Sequence, residues 1–490
     1  MTALAIIFVF LAASMGLGLR ARRGKDMDLE QWSVGGRGFG TIFVFLLLAG
    51  EIYTTFTFLG ASGWAYGKGA PAFYILCYAS LAYVISYWLL PPIWRYAKEH
   101  RLVSQSDFFV SKFQSPLLGG LVALVGVVAM VPYLVLQLKG LGIIVSVSSY
   151  GHVSPHWAIV IGTVALTLYV TVSGIHGSAW TALLKDIAIL AVVLILGIYL
   201  PLHYFGGIGA MFHQVDAAQP HFLTLHSSGM SPAWFASTVL LSALGFYMWP
   251  HTFGASYSAQ NERVFRRNAI FMPLYQLVLL FVFFVGFAAI LVVPGLTGSD
   301  TDLSLLRITT ASFPPWFVGV VGGAGLLTAL VPGSLLLMSS ATCLAKNVYQ
   351  LARPASSDAD TARLAKRLVP VIALISLYFA LNGGSSLVSL LLMGYALVTQ
   401  LFPALLASLA PRQLVTKQGA AAGMIVGVAA VIVVTLTGTS VGSLLPGLPQ
   451  AVKDLNVGVI ALILNCAAMA AVSAATRRTT TTLSPASVSV

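Results

Sequence analysis

Glu51 is the one carboxylate in LLLAGEIYTTFTFLG, residues 46–60, a stretch otherwise suited to a membrane or a protein core. A carboxyl placed there can carry a proton, or can add negative charge around a bound cation. It can equally pair with Lys139 or Lys185, the basic residues expected deepest in apolar segments, and so fix helix packing. Asp186 follows Lys185 in LLKDIAIL, where it reads either as an acid on an ion path or as a partner of Lys185 or Lys139. Tyr133 and Gln137 are four residues apart, share one helix face, and can hydrogen-bond a carboxylate. Lys139 can attract an anion or can snorkel to the interface. In LGFYMWPHTFG, His251 is either a packing residue or a proton carrier, and Phe246, Tyr247 and Trp249 suit the apolar wall of a pocket. Such residue types can hold a small solute or a cation, or can serve helix packing alone. Paired acids, a metal-ligand cluster, a Walker loop, a Rossmann glycine set and a nucleophile elbow do not stand out. No catalytic residue, enzyme activity or cofactor is therefore assigned.

Composition says what must position these side chains. The 490 residues are 58% hydrophobic and 8% charged, against about a quarter charged in soluble domains. Runs of roughly 20 apolar residues, the length that crosses a bilayer, recur along the whole chain. The alternation of a membrane β-barrel is absent. The chain reads as an all-α polytopic membrane protein. Spans are expected near 2–19, 41–66, 70–94, 116–148, 157–174, 178–201, 232–254, 269–293, 316–342, 368–385, 387–409, 419–438 and 456–475, about thirteen transmembrane helices.

The net charge of +12 is a topology signal. Basic residues cluster at Arg20–Arg37, Arg95–Lys112, Arg263–Arg267, Lys346–Arg367, Arg412–Lys417 and Arg477–Arg478, whereas the other side holds Lys68, Arg307 and Lys453. The positive-inside rule then puts the N-terminus outside and the C-terminus inside a cytoplasmic membrane. No nucleic acid and no obligate protein partner is implied; the partners are a small-molecule substrate and the lipid bilayer. Cys77, Cys343 and Cys466 read as small apolar residues.

Two spans carry interruptions. In the first, Gly50, Thr54, Thr55, Gly60 and Gly63 weaken helix continuity. In the second, Pro250 removes an amide donor and is expected to kink the helix. Broken helices form binding sites in secondary transporters, because freed backbone groups need a covered cavity. Each interrupted span begins a block of five, and the two blocks enter the membrane from opposite sides. The organisation expected is an extra N-terminal helix at 2–19, five-helix repeats at 41–201 and 232–409, two extra helices within 419–475, and a disordered tail at 476–490.

The motifs WSVGGRGFG, FLGASGWAYGKG, LVSQSDFF, YVTVSGIHGSAWTALLKD, Pro250-His251, KNVY, QLFPALL and GAAAGMIVG occur in this order. With them the chain resembles the solute:sodium symporter family over nearly its full length. The runs Tyr133–Gly140 and Ala329–Pro332 resemble the bacterial monocarboxylate permeases within it. The resemblance implies a leucine-transporter-like 5+5 inverted-repeat fold and symport, coupled to sodium or protons, of a small organic solute such as lactate or pyruvate. An amino acid, a vitamin, or a nutrient-sensing role are the alternatives. It further implies a bacterial inner-membrane location and a sodium site between carbonyls of the first broken helix, at Gly50 and Tyr53, and a Ser/Thr pair on a later helix. That pair falls on Val331 and Pro332, which carry no hydroxyl; Thr328 and Ser334 lie nearby and can supply an oxygen. Asp186 aligns with a family aspartate near the sodium path. Substrate contacts are expected from Thr54, Thr55, Tyr133, Gln137, Lys139, Phe246, Tyr247, Trp249 and His251. Ion coupling is expected from Gly50, Glu51, Tyr53, Asp186, Thr328, Val331 and Ser334.

Overall fold

A computed structural model describes residues 1–24, 28–412 and 414–480. Among these, ten helices are long and apolar enough to cross a membrane, from Thr2–Ala21 to Val457–Arg477. Three shorter apolar helices, Thr41–Gly50, Pro155–Thr171 and Pro232–Met248, fall at three further expected spans. The protein is a multi-pass, all-helical membrane protein. The last helix, Val457–Thr480, runs past the expected start of the tail at 476, and residues 481–490 lie outside the described residues.

Local chemistry explains where the helices stop. Thr41–Gly50 ends at Gly50, and Glu51 to Thr54 form a turn before a short π-helical segment, Phe56–Gly60, leads into Ala61–Lys68. Pro232–Gly245 ends in a tighter turn, Phe246–Met248; Trp249 is extended, and a new helix begins at Pro250. Pro250 therefore does not kink a continuous helix, as its sequence position suggests. It occupies the first position of Pro250–Tyr257, where the missing N–H has no intrahelical acceptor to lose. A third discontinuity joins two spans with no loop between them. Gly174 has φ 56° and ψ −156°, a conformation that excludes a side chain, and it divides Pro155–Phe205 into two rods.

The bundle is closed by a polar cluster at each end. At the end rich in basic loops, Asp107 accepts bonds from the amides of Val103 and Ser104, from Lys346 Nζ at 2.8 Å and from Asn347 Nδ2 at 2.8 Å. At the other end, Asp302 accepts from the Leu387 amide at 2.9 Å and lies so near Gly63 that a Cβ there would come within 2.8 Å of its Oδ1. Burial pushes the Asp302 carboxyl up to about 7, against the pull of the Leu387 amide and the Lys139 charge. The unfolded value is about 3.9, so the folded protein keeps this proton between those limits. The stability it contributes is complete below the lower value and is lost as pH rises through the upper one. Asp302→Asn should therefore flatten the fall in apparent melting temperature between pH 5 and 8, measured in detergent. An equal slope in wild type and variant would remove Asp302 as its source.

Candidate functional site

A helix that ends inside a membrane leaves carbonyls that water cannot reach. At the first break the carbonyls of Leu48, Ala49, Glu51, Ile52 and Tyr53 are met by donors. The Glu51 and Ile52 amides reach back to Leu48 and Ala49, and the Thr57 hydroxyl donates to Ile52 O. The remaining donors come from three other helices. Tyr83 Oη donates to Leu48 O at 2.8 Å, Tyr133 Oη to Glu51 O at 3.0 Å, and Lys185 Nζ to Tyr53 O at 3.1 Å. Tyr53 in turn donates its hydroxyl to Tyr275 O. Thr54 Oγ1 accepts from the Phe56 amide, and Thr55 Oγ1 donates to Gln137 Oε1 at 2.7 Å. The second break is held by Gln105, whose Nε2 donates to Met248 O at 2.6 Å.

The two breaks lie side by side. Glu51 Oε2 contacts His251 Nε2, with the two side chains 3% and 0% exposed. Tyr133 packs edge-on to His251 and also against Trp249, and Trp249 meets Tyr395. Phe246 contacts Tyr83 and Tyr247. The buried polar atoms around this junction that have no hydrogen-bond partner include Glu51 Oε1, Gln137 Nε2, Tyr247 Oη, Trp249 Nε1 and His251 Nδ1. Each of Glu51, Thr54, Thr55, Tyr133, Gln137, Phe246, Tyr247, Trp249 and His251 is at most 6% exposed, so the junction is shut on both sides. The closed junction brings together donors, an acceptor and an aromatic wall, the groups that a small solute needs.

Lys139 is not part of it. Two residues after Gln137, it points to the opposite side of the helix and donates to Gly383 O and Ser385 O, beyond the end of Asp358–Asn382. A lysine there complements the negative end of a helix. The alternative of a Glu51 pairing with Lys139 or Lys185 also gives way to His251. Lys185 instead pairs with its neighbour Asp186, Nζ to Oδ1 3.0 Å, one of the alternatives open for that acid. Thr328 Oγ1 is satisfied by Gly325 O, and Ser334 Oγ by Val331 O and Ser178 Oγ. Val331 packs with Leu46 and Ala182.

The sodium:solute symporter family model matches residues 32–427, most of the chain. The chain belongs to that family. It is 67% identical to the uncharacterized symporter YhjB of Bacillus subtilis, over 97% of each chain. It is 29% identical to a monocarboxylate transport permease protein of Rhizobium johnstonii, over 77% of this chain and 78% of that one. In structure it resembles a sodium-coupled sialic acid symporter solved substrate-bound and outward-open, with TM-score 0.79, 16% identity, and coverage of 100% of this chain and 99% of that one. A second neighbour, the transporter MhsT in complex with L-phenylalanine, aligns with TM-score 0.52, 11% identity, and coverage of 87% and 97%. Family and fold are those of transporters, not of enzymes, and the fold is the leucine-transporter-like one.

A sodium ion at Gly50, Tyr53 and Ser334 would need several oxygens free to converge on it, as other hard cations do. Tyr53 O holds the Lys185 ammonium, and a Cβ added to Gly50 would lie 3.1 Å from the same nitrogen. Ser334 is committed to its own helix and to Ser178, and Val331 brings only methyl groups. These residues do not fit a bound sodium.

Reading residues by type missed three things. The Glu51–His251 contact joins positions 200 apart in sequence, and no local pattern signals it. Asp107 sits in a recognisable motif, but its partners come from a distant helix. Asp302 reads as one of several loop acids until its burial is seen.

Proposed function

We propose that this protein is a symporter that carries a small monocarboxylate, such as lactate or pyruvate, together with a proton, by alternating access. The Glu51–His251 contact between the two helix breaks is the observation that supports this reading most, with the unpartnered amide of Gln137 one helical turn from Tyr133, which packs on His251. The similarity to a monocarboxylate permease favours the same solute class. A carboxylate cannot enter a dry chamber without compensating charge. Glu51 as carboxylate and His251 as imidazolium sum to zero. One further proton on the pair leaves a net charge of +1, which a bound monoanion cancels. Each ligand thus stabilises the other, and that coupling is what a symporter requires. Gln137 Nε2 and His251 Nδ1 donate to the solute carboxylate, and Trp249, Tyr247 and Phe246 enclose its carbon chain. The helices then rock about the site, as in other secondary transporters. The N-terminus is placed outside and the C-terminus inside, from the loop charges.

The test is uptake of labelled pyruvate or lactate into proteoliposomes under an inward proton gradient or an inward sodium gradient. Accumulation driven by protons, and indifferent to membrane potential because no net charge moves, is expected. Accumulation with sodium alone would refute the proton assignment, and none with either gradient would refute the solute class. Gln137→Leu keeps the volume but removes the donor, together with the acceptor of the Thr55 hydroxyl. A hydrogen bond to a charged group contributes about 1.5–3 kcal/mol, so half-saturation should rise at least about tenfold with little change in maximal rate.

A further inference from the structure

We infer that the Lys185 ammonium is the resident cation of the first helix break and excludes sodium from it. The inference rests on the symporter reading above and concerns how that same break handles ions.

Lys185 lies on Gly174–Phe205 and is 0% exposed, which a lysine tolerates only when its charge is compensated. Two groups compensate it: Asp186 Oδ1 at 3.0 Å and Tyr53 O at 3.1 Å. Asp186 has no hydrogen-bond partner other than this ion pair, so its charge is directed at Lys185 alone. The other titratable groups close by are the phenols of Tyr53 and Tyr275, both within electrostatic reach of Asp186. Gly50 leaves the room the ammonium fills, since a Cβ there would meet Nζ at 3.1 Å. The negative end of Thr41–Gly50 points at the same place and favours a cation. Leu46, one turn before Gly50, and Ala182, one turn before Lys185, pack with Val331, and none of the three has a side-chain oxygen.

A positive charge bound to a broken helix end is what an alkali cation would supply there. In this chain the charge is covalently attached. A sodium ion placed about 4 Å from a charged ammonium, at an effective dielectric constant of about 20, would lose roughly a thousandfold in affinity. The ammonium thus outcompetes sodium at the break, and the driving ion acts elsewhere, at the Glu51–His251 pair.

Sodium binding by the purified full-length protein tests this without any solute. Thermal unfolding is followed while sodium chloride replaces choline chloride at constant ionic strength. Wild type and Lys185→Arg should show no sodium-specific shift. Lys185→Ala frees Asp186 and Tyr53 O, and should be stabilised by sodium with a midpoint at least about a hundredfold lower than any wild-type response. Equal midpoints in wild type and Lys185→Ala, or indifference of Lys185→Ala to sodium, would overturn the inference. Should Lys185→Ala not fold, wild-type proteoliposomes decide. Proton-driven uptake within about twofold in sodium and in choline supports the inference, and a sodium requirement defeats it. Absence of carboxylate uptake together with sodium-indifferent unfolding would count against the solute assignment alone.

Discussion

Glu51→Ala should lower gradient-driven uptake by at least about a hundredfold. Both side chains of its contact with His251 are inside the closed bundle. Removing one partner of a buried polar contact costs about 1–3 kcal/mol, because the survivor keeps its desolvation penalty. Here the survivor is His251, whose Nδ1 already lacks a partner. The contact also joins the two breaks, so its loss separates elements that must move together. Glu51→Gln distinguishes structure from charge. The amide preserves volume and a hydrogen bond to His251 but cannot gain or lose the proton. Solute exchange across the membrane at equal concentrations should survive in Glu51→Gln, while accumulation against a gradient is lost. Full accumulation by Glu51→Gln would return the residue to a packing role.

Asp107→Ala should give the largest loss of stability among single changes outside the membrane helices. Asp107 is the third residue of Gln105–Phe113 and completes a capping box with Ser104. It also accepts from Lys346 and Asn347 on the segment that follows Pro315–Cys343. Its removal frees two backbone amides, an ammonium and an amide side chain, and about 3–5 kcal/mol is expected. A double-mutant cycle in apparent melting with Lys346→Met should return a coupling of about 1 kcal/mol or more; additive effects would show that the ammonium contributes nothing. Burial pushes the Asp107 carboxyl up, but Lys346, Asn347 and the Val103 amide outweigh it and hold it below the usual carboxylate range. Its contribution is present above the unfolded value of about 3.9 and is lost only as pH falls through the lower folded value. The penalty of Asp107→Ala should thus be constant from pH 5 to 8, where the Asp302 effect changes.

Much of this was legible in the residues. A chain with so little charge and so many long apolar runs has to be a membrane helix bundle, because a spanning segment must satisfy its own backbone. The location of the first break followed from Gly50 and the threonines after it, since glycine and β-branched residues weaken a helix locally. Tyr133 and Gln137 were legible as a shared helix face, and both reach the first break. The region of the second break was legible too, although Pro250 starts a helix instead of bending one.

What the sequence by itself determined is therefore the class of protein, where its apolar helices lie along the chain, and the residues capable of handling a proton or a carboxylate. Those follow from composition, periodicity and local backbone chemistry, which act over a few residues. Only the tertiary structure decided the partners. It gave Glu51 to His251, kept Lys185 with Asp186 at the first break, and turned Lys139 away to a helix end. Electrostatic pairing in a dry interior depends on distances of a few ångströms between helices far apart in the chain, and a one-dimensional pattern does not contain those distances.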